Sequence, residues 1–185
     1  MKIKFVFLPL FIFFSSLLLN AQFEQKVTLN TSLGYFVPLE EEYYGGFSFD
    51  AGILYNFNRK VSLITNFRYI SIWREDYYDD FFGSEDYLAL GIGLKYNFNP
   101  EKRLNFYVLV EVDPEYVEYY DEDTWEIEDS YFTLGGYAAF GADYRITDNF
   151  GGFLQSGYCM FDFFYPNTIY TQLGIRFNFF KKKDL

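Results

Sequence analysis

Seven charged residues, Asp50, Arg68, Lys95, Glu111, Asp143, Arg145 and Arg176, sit at alternate positions in stretches otherwise made of apolar residues, glycine and small polar groups. Three acids and four bases in such a setting suit mutual ion pairing, because a charge taken out of water is costly unless it is paired and hydrogen-bonded. They suit the usual acid–base catalysis poorly. The chain has no histidine, which removes the commonest general base and a leading transition-metal ligand. Its single cysteine, Cys159, can form no internal disulfide and reads as a small buried hydrophobe. The seven charges either pack against one another or line an ion path or a substrate pocket.

A second concentration of chemistry is the run from Asp113 to Asp129, which holds nine acids together with Tyr116, Tyr119, Tyr120 and Trp125. Read plainly, it is a solvated, self-repelling loop. Oxygen-rich clusters also suit calcium, but Asp121-Glu122-Asp123 lacks the glycine and spacing of an EF-hand loop. No spacing singles out a carboxylate pair for general acid–base work. Hence no catalytic residue, metal site or cofactor is expected, and the protein is expected not to be an enzyme. Exposed aromatics are typical interaction anchors, which makes those four the candidate surface-interaction residues. Their acidic setting calls for a cationic or divalent-bridged partner and disfavours nucleic acid.

The elements that position these groups follow a period of two. Strands are expected at Val27 to Val37, Phe47 to Phe57, Val61 to Trp73, Leu88 to Phe98, Leu104 to Val112, Phe132 to Ile146, Phe150 to Met160 and Ile169 to Phe179. Four of them end alike, in Gly52-Ile-Leu-Tyr-Asn-Phe57, Gly93-Leu-Lys-Tyr-Asn-Phe98, Gly141-Ala-Asp-Tyr-Arg-Ile146 and Gly174-Ile-Arg-Phe-Asn-Phe179. Bulky residues share one face of each ending, while the glycine and the polar residue share the other. Three connections are hairpin-sized: Asn58 to Lys60, Asn99 to Arg103 and Thr147 to Asn149. They alternate with longer ones at Pro38 to Gly46, Arg74 to Tyr87, Asp113 to Tyr131 and Phe161 to Thr168. Eight strands joined short and long in turn predict an all-β fold, an eight-stranded antiparallel up-and-down transmembrane β-barrel with both termini at the short-turn end.

Alternation alone does not say which face is the lumen. The apolar face carries 18 aromatic side chains, and the interior of eight strands is only wide enough to be filled by side chains or to hold one small ligand. That face must therefore point outward, into lipid. The seven charges then lie in the lumen, nearly balanced, and Asp50 is expected opposite Arg68. Tyr107, Leu109, Tyr137, Phe153 and Phe161 are expected to fill the space beside them. Of the 26 acids, 19 fall in the four long connections, whereas Lys26, Arg59, Lys60, Lys102, Arg103 and Lys181 to Lys183 gather at the short-turn end.

Residues 1–21 carry Lys2 and Lys4, an apolar run from Phe5 to Leu19 and then Leu19-Asn20-Ala21. This reads as a cleaved signal peptide, the run being too short for a membrane helix of about 20 residues. Residues 22–185 form the barrel domain, and losing the two lysines moves the net charge from −11 to about −13.

With these features the chain resembles the small eight-stranded outer-membrane barrels of Gram-negative bacteria, the OmpA- and OmpX-like, porin-like group. The resemblance implies a place in the outer membrane among lipid and lipopolysaccharide, with long loops outside and short turns and termini in the periplasm. It also implies insertion by the barrel-assembly machinery through a last-strand signal like Gly174 to Phe179, although Lys181-Lys-Lys-Asp-Leu185 follows that signal here. With five residues after the barrel, no peptidoglycan-binding domain is expected. The resemblance further implies that those barrels of this size that are enzymes work through a histidine at the outer rim, which this chain lacks. The expected role is structural or surface-interacting, through acidic, aromatic loops; the alternative is a narrow porin-like conduit for small solutes.

Overall fold

The computed structural model describes residues 27–39, 43–76, 81–120, 127–160 and 167–179. The signal-peptide segment, Trp125, Phe161 and the Lys181 to Lys183 run lie outside them. Eight strands form one closed barrel in sequence order: β1 (Val27–Pro38), β2 (Tyr43–Asn56), β3 (Val61–Asp76), β4 (Phe81–Asn97), β5 (Leu104–Tyr120), β6 (Ile127–Arg145), β7 (Phe150–Met160) and β8 (Asn167–Asn178). Every neighbouring pair is antiparallel, and β1 closes on β8 from Thr28↔Asn178 to Pro38↔Thr168. Closure leaves no free strand edge, which is what a sheet in lipid requires.

Each strand follows the alternation in its lettering. On β4, Leu88, Leu90, Ile92, Leu94 and Tyr96 are exposed, whereas Tyr87, Ala89 and Lys95 are buried. The repeated strand endings form an outward aromatic belt at the short-turn end. Tyr55–Phe57, Tyr96–Phe98 and Phe177–Phe179 meet edge to face, with ring centroids 5.4, 5.4 and 5.1 Å apart and planes at 78°, 79° and 79°. The repeated glycines face inward, and each is required by space. A Cβ on Gly52 would strike the Asn66 side chain, on Gly93 the Val110 carbonyl, on Gly141 the Tyr107 ring and on Gly174 the Phe153 ring. At Gly45 the requirement is conformational: φ is +134°, where the β2–β3 register shifts between Tyr43 and Gly45, as at a glycine bulge.

The apolar belt has a defined height. Its last apolar row opposite the short turns is Leu88, Tyr116 and Phe132, joined by Leu88↔Tyr116 and Tyr116↔Phe132. The next outward row is polar on β3 to β6, at Ser71, Asp86, Glu118 and Ser130, whereas on β1 and β2 it stays aromatic, at Tyr35 and Phe47. Leu88 to Phe98 is ten residue steps, about 33 Å of strand at ~3.3 Å per step and about 25 Å along the axis at a tilt near 40°, which matches the apolar band of membrane barrels.

Five strands run three or more residues beyond their expected ends. β2 begins at Tyr43, β3 reaches Asp76, β4 begins at Phe81, β5 reaches Tyr120 and β6 begins at Ile127. The stretch Asp113 to Tyr131, expected as a loop of about 18 residues, is instead mostly wall, and only residues 121–126 separate β5 from β6. Its alternation is real but inverted in chemistry: Asp113, Glu115 and Val117 are buried, while Pro114 and Tyr116 face out. Acids and proline are poor strand formers, so composition masked the pattern. Pro114 pairs with Leu134 on one side, while on the other the β4–β5 pairing passes from Ala89↔Glu115 to Ile92↔Val112 without a pair at Pro114.

Candidate functional site

The lumen holds two charged clusters on different strands. Arg68, on β3, is the centre of the first and is 1% exposed. Its Nε donates to Asp50 Oδ1 at 2.5 Å, Nη1 to Asp113 Oδ2 at 2.7 Å and Nη2 to Glu111 Oε2 at 2.8 Å. Cross-strand register sets this up, since Asp50 is directly opposite Arg68 and Glu111 and Asp113 are successive inward residues of β5. Asn66 Nδ2 donates to Glu111 Oε1 at 2.5 Å, and Tyr170 Oη to Asp50 Oδ2 at 2.7 Å. Tyr170 stacks on Phe36 with centroids 4.0 Å apart, and the Arg68 guanidinium lies over the Tyr137 and Tyr170 rings at 5.1 and 5.5 Å.

The second cluster lies nearer the short turns. Lys95 Nζ donates to Asp143 Oδ2 at 2.8 Å and sits 3.6 Å from the centre of the Tyr107 ring. Arg176 pairs with the same Asp143 oxygen. Arg145 takes part in neither cluster. It is half-buried near the mouth, where Nη2 donates to the Pro100 carbonyl at 2.8 Å.

The expected near-balance of three lumenal acids and four bases is therefore incomplete. Because β4 and β5 run further than their lettering suggested, Glu85, Asp113 and Glu115 are also buried inside. Among the described side chains the lumen carries six acids and four bases. The signal that could have placed the extra three was their spacing by two with Glu111 or Tyr87.

At the level of Arg68 the lumen is solid. Arg68, Ile70, Ile72, Leu109, Tyr87 and Tyr170 are each 1% exposed or less. Tyr107, Tyr137 and Phe153 are also buried, with Tyr107 Oη donating to Gln155 at 2.6 Å. A cavity of about 20 Å³ remains between the two clusters, enough for a single water. An open vestibule of about 620 Å³ lies at the short-turn end, and its lining stops at Leu54, Lys95 and Asp143.

The candidate interaction residues are dispersed. Tyr116 lies in β5, in the last apolar row, with its ring 4.9 Å from that of Phe132, so it stands at the lipid boundary rather than in a loop. Tyr119 and Tyr120 belong to the end of β5 by their backbone, pairing with Asp129 and Ile127; their side chains and Trp125 are outside the described residues. Among the described residues no group of three or more Cys, Asp or Glu side chains is arranged to hold a metal ion.

Residues 6–179 match the family described as outer membrane protein beta-barrel domain. The chain belongs to this family. No curated protein matches it significantly in sequence. Among solved structures, this barrel is similar to Neisserial surface protein A, 14% identical at a TM-score of 0.60, covering 83% of this chain and 97% of that one. It is also similar to Ail, the attachment invasion locus protein of Yersinia pestis, 15% identical at a TM-score of 0.57, with 85% and 100% covered. The N-terminal β-barrel domain of Pseudomonas aeruginosa OprF is 16% identical at a TM-score of 0.51, with 82% and 97% covered. At these identities the likeness concerns fold. The outer membrane beta-barrel family accounts for the exposed aliphatic and aromatic belt: its solvent is lipid, and the protein is an outer-membrane barrel of the OmpA/OmpX-like type.

Proposed function

We propose that this barrel is a closed surface-interaction protein whose working part is the acidic end opposite the short turns, above the Asp86–Glu118–Ser130 row. The observation that carries this reading is the filled section at Arg68, which leaves no continuous path through the lumen. The β3–β4 ladder continues past that row from Ser71↔Asp86 to Asp76↔Phe81, and β5–β6 continues to Tyr120↔Ile127. These paired extensions stiffen the base of the acidic connections. Residues 1–21 act as a cleaved signal, the barrel-assembly machinery inserts the chain, and the short turns and termini face the periplasm. The protein has no enzymatic activity.

The acid-rich end selects a cationic or divalent-bridged partner. Ail, similar in fold at a TM-score of 0.53 and 14% identity, has been solved in complex with the heparin analogue sucrose octasulfate. A polyanion of that kind would be repelled by the acidic connections here, so that ligand is not carried over. The conduit reading has one observation in its favour, the vestibule, but the vestibule ends below Arg68.

Binding of a lysine-rich peptide to cells displaying the protein tests the proposal. Replacing residues 121–126 by a short Gly-Ser turn should leave insertion and heat-dependent electrophoretic mobility intact while abolishing binding. Replacing Pro114 to Glu128 would be uninformative, because Glu115 and Val117 are wall residues. Undiminished binding by the 121–126 variant rejects the proposal.

A further inference from the structure

The two ends of the barrel differ in charge, and the short-turn end has an open cavity. Its vestibule of about 620 Å³ is lined by Arg59, Lys95, Lys102, Arg145 and Arg176 against two acids, Glu101 and Asp143, a net of +3. That volume is within the range of small-molecule pockets, about 300–1,000 Å³. The remaining lining is largely asparagine, serine and threonine, including Asn97 and Asn105. Such walls favour a hydrophilic occupant over a lipid tail.

The positive charge is incompletely matched by the protein. Lys95 and Arg176 converge on one oxygen of one carboxylate, Asp143 Oδ2, so the floor carries two cations against a single anion. Lys95 is buried, and the surplus carboxylates of the lumen gather around Arg68, so the second cation of the floor is balanced only at a distance. Arg145 bonds to the Pro100 carbonyl and Lys102 lies exposed on the rim; neither has a carboxylate partner among the described residues. Asp143 itself is fully buried, so an occupant of the vestibule meets the surrounding cations and amide side chains rather than its carboxylate. The vestibule thus offers cationic donors around its mouth and amide and hydroxyl side chains along its wall.

We propose that the short-turn vestibule binds a compact, hydroxylated anion of the sugar-phosphate class. The phosphate lies against Arg145, Lys102 and Arg176, and hydroxyls of the same molecule meet the wall asparagines Asn56 and Asn178. The proposal is independent of the role assigned to the opposite, acidic end. Since the lumen is filled above Asp143, the vestibule is a dead-end receptor rather than the entrance to a channel.

The test is titration calorimetry of the refolded barrel in uncharged detergent, using glucose 6-phosphate and glucose as probes. Glucose 6-phosphate should bind, with affinity falling as salt rises, and glucose should show no heat of binding. Lys102→Gln should weaken binding about fivefold, in line with an exposed charge contact, and Arg145→Gln about tenfold or more, in line with hydrogen bonds to a charged group. Glu101→Gln should strengthen binding, a gain that no loss of folding could imitate. Heat-dependent mobility retained by each variant shows that the barrel is intact. No binding of glucose 6-phosphate, or affinity indifferent to all three substitutions, overturns the proposal. So does phosphate recognition seen only with phosphatidylglycerol vesicles, which would place the anion on a lipid surface outside the vestibule.

Discussion

Arg68 faces Asp50 across β2 and β3, and its guanidinium is shared among three carboxylates, the Asp50 contact at 2.5 Å being joined by Asp113 at 2.7 Å and Glu111 at 2.8 Å. Three acids thus depend on one buried base. A simple Asp50–Arg68 pair would make the double apolar replacement milder than either single one, but this network dictates a different pattern.

Arg68→Met should destabilise the barrel by about 3–5 kcal/mol, because it strands buried carboxylates. Asp50→Asn should cost less, about 1–3 kcal/mol, since Arg68 keeps Glu111 and Asp113. The double variant Asp50→Asn/Arg68→Met should remain close to Arg68→Met. Equilibrium refolding in urea measures all three. A double variant as stable as the parent would show that Glu111 and Asp113 do not depend on Arg68.

The repeated glycines supply a second prediction. Gly93→Ala puts a methyl group into the Val110 carbonyl and the Glu111 backbone, and overpacking of that kind costs about 1–3 kcal/mol. At Gly136 the nearest atom to an added Cβ is 3.6 Å away, so Gly136→Ala should be close to neutral. Equal losses at the two positions would remove the spatial account of the repeat.

The lipid belt sets a depth-dependent third prediction. Val110 is an exposed residue in the middle of the β5 belt, and Val110→Arg should cost about 2–4 kcal/mol in bilayer-based refolding. Phe132, in the last apolar row and 82% exposed, should tolerate arginine at about 0–1 kcal/mol. The opposite order would shift the membrane boundary.

A fourth prediction concerns processing. The mature protein should begin near Gln22, as read by N-terminal sequencing of envelope-derived material, and should migrate differently before and after boiling. A mature chain that retains residues 1–21 contradicts the signal-peptide assignment.

Where two faces differ in polarity, the sequence was sufficient to place a strand. β7 ran from Phe150 to Met160 both in its lettering and in the fold, despite Gly151, Gly152 and Gly157. Legibility failed where the wall crosses from lipid toward water, since the outer face then turns polar at Asp86 and Glu118 while the inner face already carries Glu85, Asp113 and Glu115. With acids on both faces, a period of two in hydropathy disappears even though the backbone ladder continues. The partners of Arg68 were half legible for the same reason: Asp50 follows from a three-residue turn, whereas Asp113 requires knowing that β5 does not stop at Val112. The vestibule had no sequence signature beyond the basic residues at the short turns, because its depth depends on where the lumenal filling begins.

The sealed lumen is tested most directly by single-channel recording from the purified protein in planar bilayers. The intact barrel should pass no steady current, and Arg68→Ala, which removes the shared side chain at the filled section, should raise the frequency of openings if the variant inserts. Steady, long-lived open-channel currents from the intact barrel would contradict the sealed lumen and favour the conduit.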